Sequence, residues 1–289
     1  MLVKMDEILV KARREGYGVI AVSCFSLELI GASIAAAEKK NSPVILNINL
    51  KYEFLDSDQD LELFLYMARQ RAMRSNVPVA VNLDHGADYE AVMKAISHGF
   101  TSVMIDASAR PYEENVAVTR EVVRAAHAAG LPVEAELGCV GMADASFRLE
   151  TKYTESAKTD PGLVKDFVDR TGVDFLAVSI GNAHGPYAKN IVPHIDFRLL
   201  EEIGKAVPIP LVLHGGSGTG DDNLSRACRM GISKINVGTD LMELAVRKAQ
   251  KGYEENQNMG RVRYLNHYVA GYQEGVEYYM DVFGSSGKV

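Results

Sequence analysis

The chain has 289 residues, 47% of them hydrophobic and 24% charged, with a formal net charge of −7. This is ordinary globular composition on a chain long enough for a substantial core, and the negative balance offers no electrostatic footprint for nucleic acid or an anionic membrane. Three cysteines, Cys24, Cys139 and Cys228, are too few and too scattered for a disulfide framework or a Cys-rich metal site, and they read as reduced thiols of a cytoplasmic protein.

The opening stretch "MLVKMDEILVKARREGYG" has the spacing of an amphipathic helix. It lacks a signal-peptide apolar region, and no apolar run in the chain approaches the roughly 18–20 residues of a membrane span. Short apolar runs then alternate with helical patterns. The runs are "VIAVS" (19–23), "PVILNIN" (43–49), "PVAVNLDH" (78–85), "TSVMIDAS" (101–108), "PVEAELG" (132–138), "FLAVSIGNAHG" (175–185), "PLVLHGGSG" (210–218) and "KINVGTD" (234–240). Segments between them, such as "SLELIGASIAAAEKKN" and "DYEAVMKAISHGF", repeat apolar residues at three- and four-residue spacing, and several end in Gly. Strands alternating with helices are parallel strands joined by crossovers. Eight such units predict an α/β fold, a single-domain (β/α)8 barrel over residues 1–289, with 250–289 as a C-terminal helical extension. A doubly wound open sheet is the alternative. Residues 139–160 form the longest irregular polar stretch, and a loop of that length is usually functional or mobile.

The polar residues gather at the C-terminal ends of the runs: Ser23, Asn47, Asn49, Asp84, His85, Asp106, Glu136, Asn182, His184, His214, Asn236, Thr239 and Asp240. In a barrel these ends meet at the one face where barrel enzymes do their chemistry. His85, His184 and His214 are each followed by Gly. Three converging imidazoles can form an open zinc site; three unrelated hydrogen-bonded histidines are the alternative, and the neighbouring acids favour the metal. "HGGSG" (214–218) can form an anion nest with Ser217 as an added donor, and "NVGTD" (236–240) supplies its second half. No strand C-terminal end carries the Lys that a Schiff-base mechanism needs. Lys234 is read at the start of the eighth strand, the wrong end, and Lys189 lies in a loop suited to phosphate. In "PVAVNLDHG", Asp84 and His85 are adjacent, and regular strand geometry would send them to opposite faces. A local break at 84–86 is therefore expected.

"NLDHG", "SVMIDAS…EEN", "VEAELG", "AHG", "LHGGSG" and "KINVGTD" stand in an order and spacing that resembles the class II, metal-dependent ketose-bisphosphate aldolases, from about Gly16 to Asp240; "FGSSGK" also resembles that family's C-terminus. The resemblance implies a zinc-dependent aldehyde-lyase that cleaves a ketose 1,6-bisphosphate or related ketose phosphate to dihydroxyacetone phosphate and an aldehyde. It implies His85, His184 and His214 as Zn2+ ligands, with Asp106 and Glu136 holding a second divalent metal. Asp84 becomes the acid/base at the C4 hydroxyl, and Asp144 falls where some members place a catalytic Glu. The substrate and phosphate site becomes Gly185, Gly215, Gly216, Ser217, Asn236, Val237, Gly238 and Thr239, with Lys189 alongside and a monovalent cation, Na+ or K+, assisting. A homodimer or homotetramer is implied as well. Three departures fall where the aldehyde half is read: Val22-Ser23 where many members have Phe-Asn, Gly238 where many have Asp or Asn, and a 139–160 loop whose acids thin to Asp144. The aldehyde is thus left open. A metal hydrolase on the same barrel lacks its usual His-x-His pair in "VIAVSCF". A non-catalytic sugar-phosphate-binding subunit is the remaining alternative.

Overall fold

The computed structural model describes residues 1–51, 57–141, 158–184 and 193–289. Its strands are β1 (Val19–Ser23), β2 (Val44–Ile48), β3 (Val79–Gly86), β4 (Ser102–Ile105), β5 (Val133–Leu137), β6 (Phe175–Val178), β7 (Leu211–Leu213) and β8 (Ile232–Val237). All are parallel, and they close in chain order into a barrel, with β8 paired back onto β1. The open sheet is excluded. The helices among the described residues are α1 (Met5–Glu15), α2 (Leu27–Lys40), α3 (Asp58–Met73), α4 (Tyr89–His98), α5 (Tyr112–Ala128), α6 (Pro161–Thr171), α7 (Phe197–Ala206), α8 (Asp221–Arg229), α9 (Thr239–Glu255) and α10 (Arg261–Val282). None is long and apolar enough to cross a membrane.

Local chemistry sets these boundaries. Ser26, Ser57, Asp88 and Asp196 each accept the backbone N–H three residues on, which caps α2, α3, α4 and α7. Gly16, Gly99 and Gly172 end α1, α4 and α6 in the left-handed conformation. The strands are buried on both faces, so they read as near-continuous apolar runs. Outward residues such as Ile20, Val22, Leu46, Val81 and Ile235 pack under the helices.

The inside of the barrel changes character along its axis. At the N-terminal end, Val19, Ala21, Ile45, Ala80, Phe175, Ala177 and Val212 form a second apolar cluster with Met5, Ile8, Leu9 and Ala12 of α1. Those four residues share one helix face, so α1 stoppers the barrel. Further along come buried Asn47, Asn82, Glu134 and Lys234. The C-terminal mouth carries the ionisable residues.

Two boundaries differ from the sequence reading. Strand β8 begins at Ile232, so Lys234 lies within it and points into the barrel. Helix α9 runs through residue 250, so it closes the eighth β/α unit and α10 is the addition. Helix α10 packs on α9 and α2.

Leu9 is fully buried in the stopper. Leu9→Ala is expected to cost about 2–5 kcal/mol in equilibrium urea unfolding, with activity per folded molecule retained. A cost below about 1 kcal/mol would contradict the stopper.

Candidate active site

Strand β3 breaks at its C-terminal end. His85 takes φ +51°, a left-handed backbone rare for a residue with a side chain, and the pairing with β4 shifts register between Leu83 and Gly86. The break cancels the alternation of a regular strand. Both Asp84 and His85 therefore line the same cavity of about 620 Å³ at the barrel mouth. The turned backbone is anchored at Asp106, whose N–H donates to the Gly86 carbonyl at 2.9 Å and whose Oδ2 lies 2.7 Å from His85 Nδ1.

Three imidazoles converge here. Ring centroids are 4.6 Å apart for His85–His214, 5.2 Å for His85–His184 and 5.8 Å for His184–His214. Each of the three can offer a ring nitrogen within 4.8 Å of the others, and His85, Asp106 and Glu136 form a second such group. His214 is fully buried beneath the cavity. Its Nε2 contacts Glu134 Oε1 at 2.8 Å, while its Nδ1 faces Glu136 Oε2 at 2.8 Å without hydrogen-bond geometry. Among the described residues, neither of those two facing atoms has another partner.

Two orphaned acceptor-type atoms aimed at one point are what a cation would satisfy. With Nε2–H committed to Glu134, Nδ1 keeps its lone pair for a metal, the usual arrangement of a carboxylate behind a ligating histidine. Electrostatics agree. Burial opposes charge on His214, but Glu134 and Glu136 outweigh it and push the pKa up to about 10, so the pocket favours positive charge: a proton at Nδ1 without a metal, which a bound cation would replace. Burial, then His214 and His85, push His184 down to about 3, which leaves a neutral ring with a free lone pair. Burial opposes ionisation of Asp106, yet hydrogen bonds from His85 and Ser108 hold its carboxyl below the ordinary range. The donor set fits a divalent cation of the zinc type.

Behind His214 stands a fully buried ion pair. Lys234 Nζ lies 2.7 Å from Glu134 Oε2. Burial alone would raise the Glu134 pKa; Lys234 and then His214 hold it down at about 2. Asp84 is fixed separately. Asn47 and Asn236 both donate to its Oδ1, at 3.1 and 3.0 Å, and Asn82 orients Asn47 with a 3.0 Å bond to its Oδ1. Among the described residues, Oδ2 has no hydrogen-bond partner and is left for the cavity.

The anion nest is narrower than the sequence suggests. Gly216 N–H donates to the Asn236 carbonyl, Gly218 N–H to Asp240 and Thr219 N–H to the Gly216 carbonyl. Among the described residues, the N–H groups of Gly215, Ser217 and Thr239 and the hydroxyls of Ser217 and Thr239 remain for a ligand. Gly215 has φ +62°, and a Cβ there would lie 2.3 Å from the Ala183 carbonyl oxygen, so only glycine fits the turn.

Asp84, His85, Asp106, His184, Gly215, Ser217, Asn236, Gly238 and Thr239 line the cavity. Glu136 and His214 lie just beneath it. Strand alternation turns the Val237 side chain outward into the barrel–helix core, so any contact it makes with a ligand is through its backbone. A Cβ on Gly216 would meet Ile235 and the Asn236 carbonyl, so the backbone here lies close against β8. Asp144, Gly185 and Lys189 lie outside the described residues. Sequence reading missed Glu134 and Lys234 as a pair; "VEAE" alternation and the corrected start of β8 are the signals that would have exposed them. Lys51 and Ser108 also line the cavity. Two departures noted separately prove to touch: a Cβ on Gly238 would lie 2.9 Å from Ser23 Oγ.

A barrel whose mouth gathers three imidazoles, an acid and an anion nest has the layout of a metal-assisted enzyme acting on an anionic substrate. Residues 3–288 match the family model described as fructose-bisphosphate aldolase class-II. The chain is 38% identical to a fructose-bisphosphate aldolase of Thermus caldophilus across 100% of both chains. It is 41% identical to a probable fructose-bisphosphate aldolase of Bacillus subtilis, over 83% of this chain and 82% of that one. The crystal structure of the YdjI aldolase of Escherichia coli superposes with a TM-score of 0.85 at 34% identity, covering 100% of this chain and 99% of that one. The chain belongs to the class II fructose-bisphosphate aldolase family and is a lyase.

Lys234→Met would leave the Glu134 charge buried against His214 alone, a loss expected to cost about 3–5 kcal/mol in urea unfolding. The sign of its pH dependence follows from Glu134, whose pKa of about 2 lies below the ordinary 4.5. A depressed carboxyl stabilises the fold above the unfolded value and loses that contribution as pH falls. The gap between the two proteins should therefore close as pH falls from 4.5 towards 2. A gap that widens over this window would contradict the pairing.

Proposed function

We propose that the chain is a zinc-dependent aldolase that reversibly cleaves a ketose 1,6-bisphosphate, or a related ketose phosphate, to dihydroxyacetone phosphate and an aldehyde. The observation that carries the reading is the packing of three imidazoles beside Asp84, with His214 Nδ1 and Glu136 Oε2 buried and unsatisfied. His85, His184 and His214 would hold the zinc, and Asp106 and Glu136 would hold a second divalent ion beside it. When bound, zinc supplies Lewis acidity that polarises the substrate carbonyl and stabilises the charge that develops on bond cleavage.

The chain's own groups do the rest. The Gly215, Ser217 and Thr239 donors hold the phosphate, aided by a monovalent cation and by Lys189. Asp84 takes the proton of the C4 hydroxyl as the C3–C4 bond breaks and returns it in condensation. Asn47 and Asn236 pin Asp84 Oδ1, so Oδ2 meets the hydroxyl in one orientation. Asp144 is the candidate for the second proton transfer, at C3. Ser23 and Gly238 leave the wall between β8 and β1 with one hydroxyl and bare backbone, which favours an aldehyde other than the one most family members read there. The family resemblance supports a cytoplasmic homodimer or homotetramer that acts on small sugar phosphates, and the net charge of −7 offers no footprint for nucleic acid or an anionic membrane.

A panel of ketose mono- and bisphosphates assayed with and without chelator tests the reading. At least one is expected to be cleaved, with activity lost on chelation and restored by Zn2+. Full turnover after exhaustive chelation would overturn it. His85→Ala is expected to abolish turnover. Asp84→Asn should keep its metal, by elemental analysis, yet lose about 10²–10⁴-fold in kcat; a loss of metal instead would make Asp84 a ligand rather than the proton carrier.

A further inference from the structure

The hydroxyl of Ser217 is already committed as an acceptor. It takes the N–H of Gly238 at 3.3 Å and that of Asp240 at 3.2 Å. A hydroxyl with both lone pairs engaged has only its hydrogen left to offer. Ser217 lines the cavity, so that hydrogen is available to an anion there. The Asp240 carboxylate completes the arrangement from behind. Its Oδ2 accepts Gly218 N–H at 2.8 Å and also the hydroxyl of Tyr279. The loop after β7, the turn into α9 and the C-terminal helix α10 thus meet on one carboxylate oxygen.

Tyr279 is placed for this by α10. Tyr272, seven residues earlier and so two helical turns back on the same face, donates its hydroxyl to the Ser23 carbonyl at 3.1 Å. Both tyrosines are buried, at 0% and 6% exposed, whereas neighbouring Tyr278 is 47% exposed and bonds Asp221 instead. Helix α10 lies beyond the eight β/α units, yet its buried tyrosines touch the strand end and the helix start that flank the cavity between β1 and β8.

We propose that Tyr279 is a positioning residue for anion binding: its hydroxyl holds Asp240 so that Gly218 is turned away from the ligand and Ser217 is left as an obligate donor. The proposal rests on the reading of Gly215, Ser217 and Thr239 as the phosphate cradle. Tyr279 touches no substrate, and it acts through Asp240. Its effect falls on binding of the phosphate more than on the chemical step.

The test uses the full-length, metal-loaded enzyme, with inorganic phosphate as a competitive inhibitor and the ketose phosphate it cleaves as substrate. Tyr279→Phe is expected to raise both KM and the phosphate inhibition constant about tenfold, the scale of one hydrogen bond to a charged group, with kcat within about threefold. Tyr278→Phe should change neither constant. In an Asp240→Ala background, Tyr279→Phe should add nothing, because the two act as one unit. An unchanged inhibition constant in Tyr279→Phe, or an equal tenfold loss in the Asp240→Ala background, would overturn the proposal. Should Tyr279→Phe fail to fold, Asp240→Asn, which keeps an acceptor oxygen, against Asp240→Ala, which loses it, gives the same comparison; equal inhibition constants in those two would overturn it. Ser217→Ala separates the two readings. If it leaves phosphate inhibition unchanged, the cradle itself is wrong; if it weakens inhibition while Tyr279→Phe does not, only the role of Tyr279 fails.

Discussion

The left-handed backbone at His85 is the constraint on which the site depends. A regular strand cannot send two consecutive side chains to one side. One residue in that rare conformation, with the register slip beside it, brings Asp84 and His85 to the mouth together. A strained backbone of this kind costs on the order of 1–3 kcal/mol and persists only where its surroundings hold it. Here Asp106 does so twice, by its N–H on the Gly86 carbonyl and its carboxylate on the His85 ring. The same carboxylate is therefore both a brace for the turn and a potential metal donor.

The second constraint is electrostatic. Acids and imidazoles crowd one end of a barrel whose other end is an apolar cluster stoppered by α1. Buried charge on this scale survives only when paired. Lys234 neutralises Glu134, Glu134 fixes the ring of His214, and the ring then presents Nδ1 to the space shared with Glu136. Among the described residues, Asp84 is held by two amides, Asn47 and Asn236, and not by this chain of charges. The proposed metal donors and the proposed proton carrier thus rest on separate supports, one ionic and one neutral, within one mouth.

The fold was readable in the sequence because parallel strands buried on both faces are near-continuous apolar runs, and because capping residues and Gly mark the helices between them. The strand-end residues were readable for a related reason: a barrel brings its C-terminal ends together, so polar endings on successive runs must meet. What was not readable depends on register. Lys234 looked misplaced because the polar start of "ISKINV" hid the true beginning of β8. The motif does not show that alternation turns the Val237 side chain into the core and leaves only its backbone for a ligand. Ser23 and Gly238 are far apart in the chain, and only closure of β8 on β1 shows that a side chain at 238 would strike the Ser23 hydroxyl. The role of α10 was hidden for the same reason, since nothing local to "VEYYMDV" announces a partner at Asp240.

The proposed metal site joins His85, His184 and His214 beside Asp84. X-ray absorption spectroscopy of the zinc-loaded protein tests it most directly. A shell dominated by three imidazole nitrogens at about 2.0–2.1 Å, reduced by one nitrogen in His85→Ala, is expected. A shell of oxygens, or an identical spectrum from His85→Ala, would contradict it.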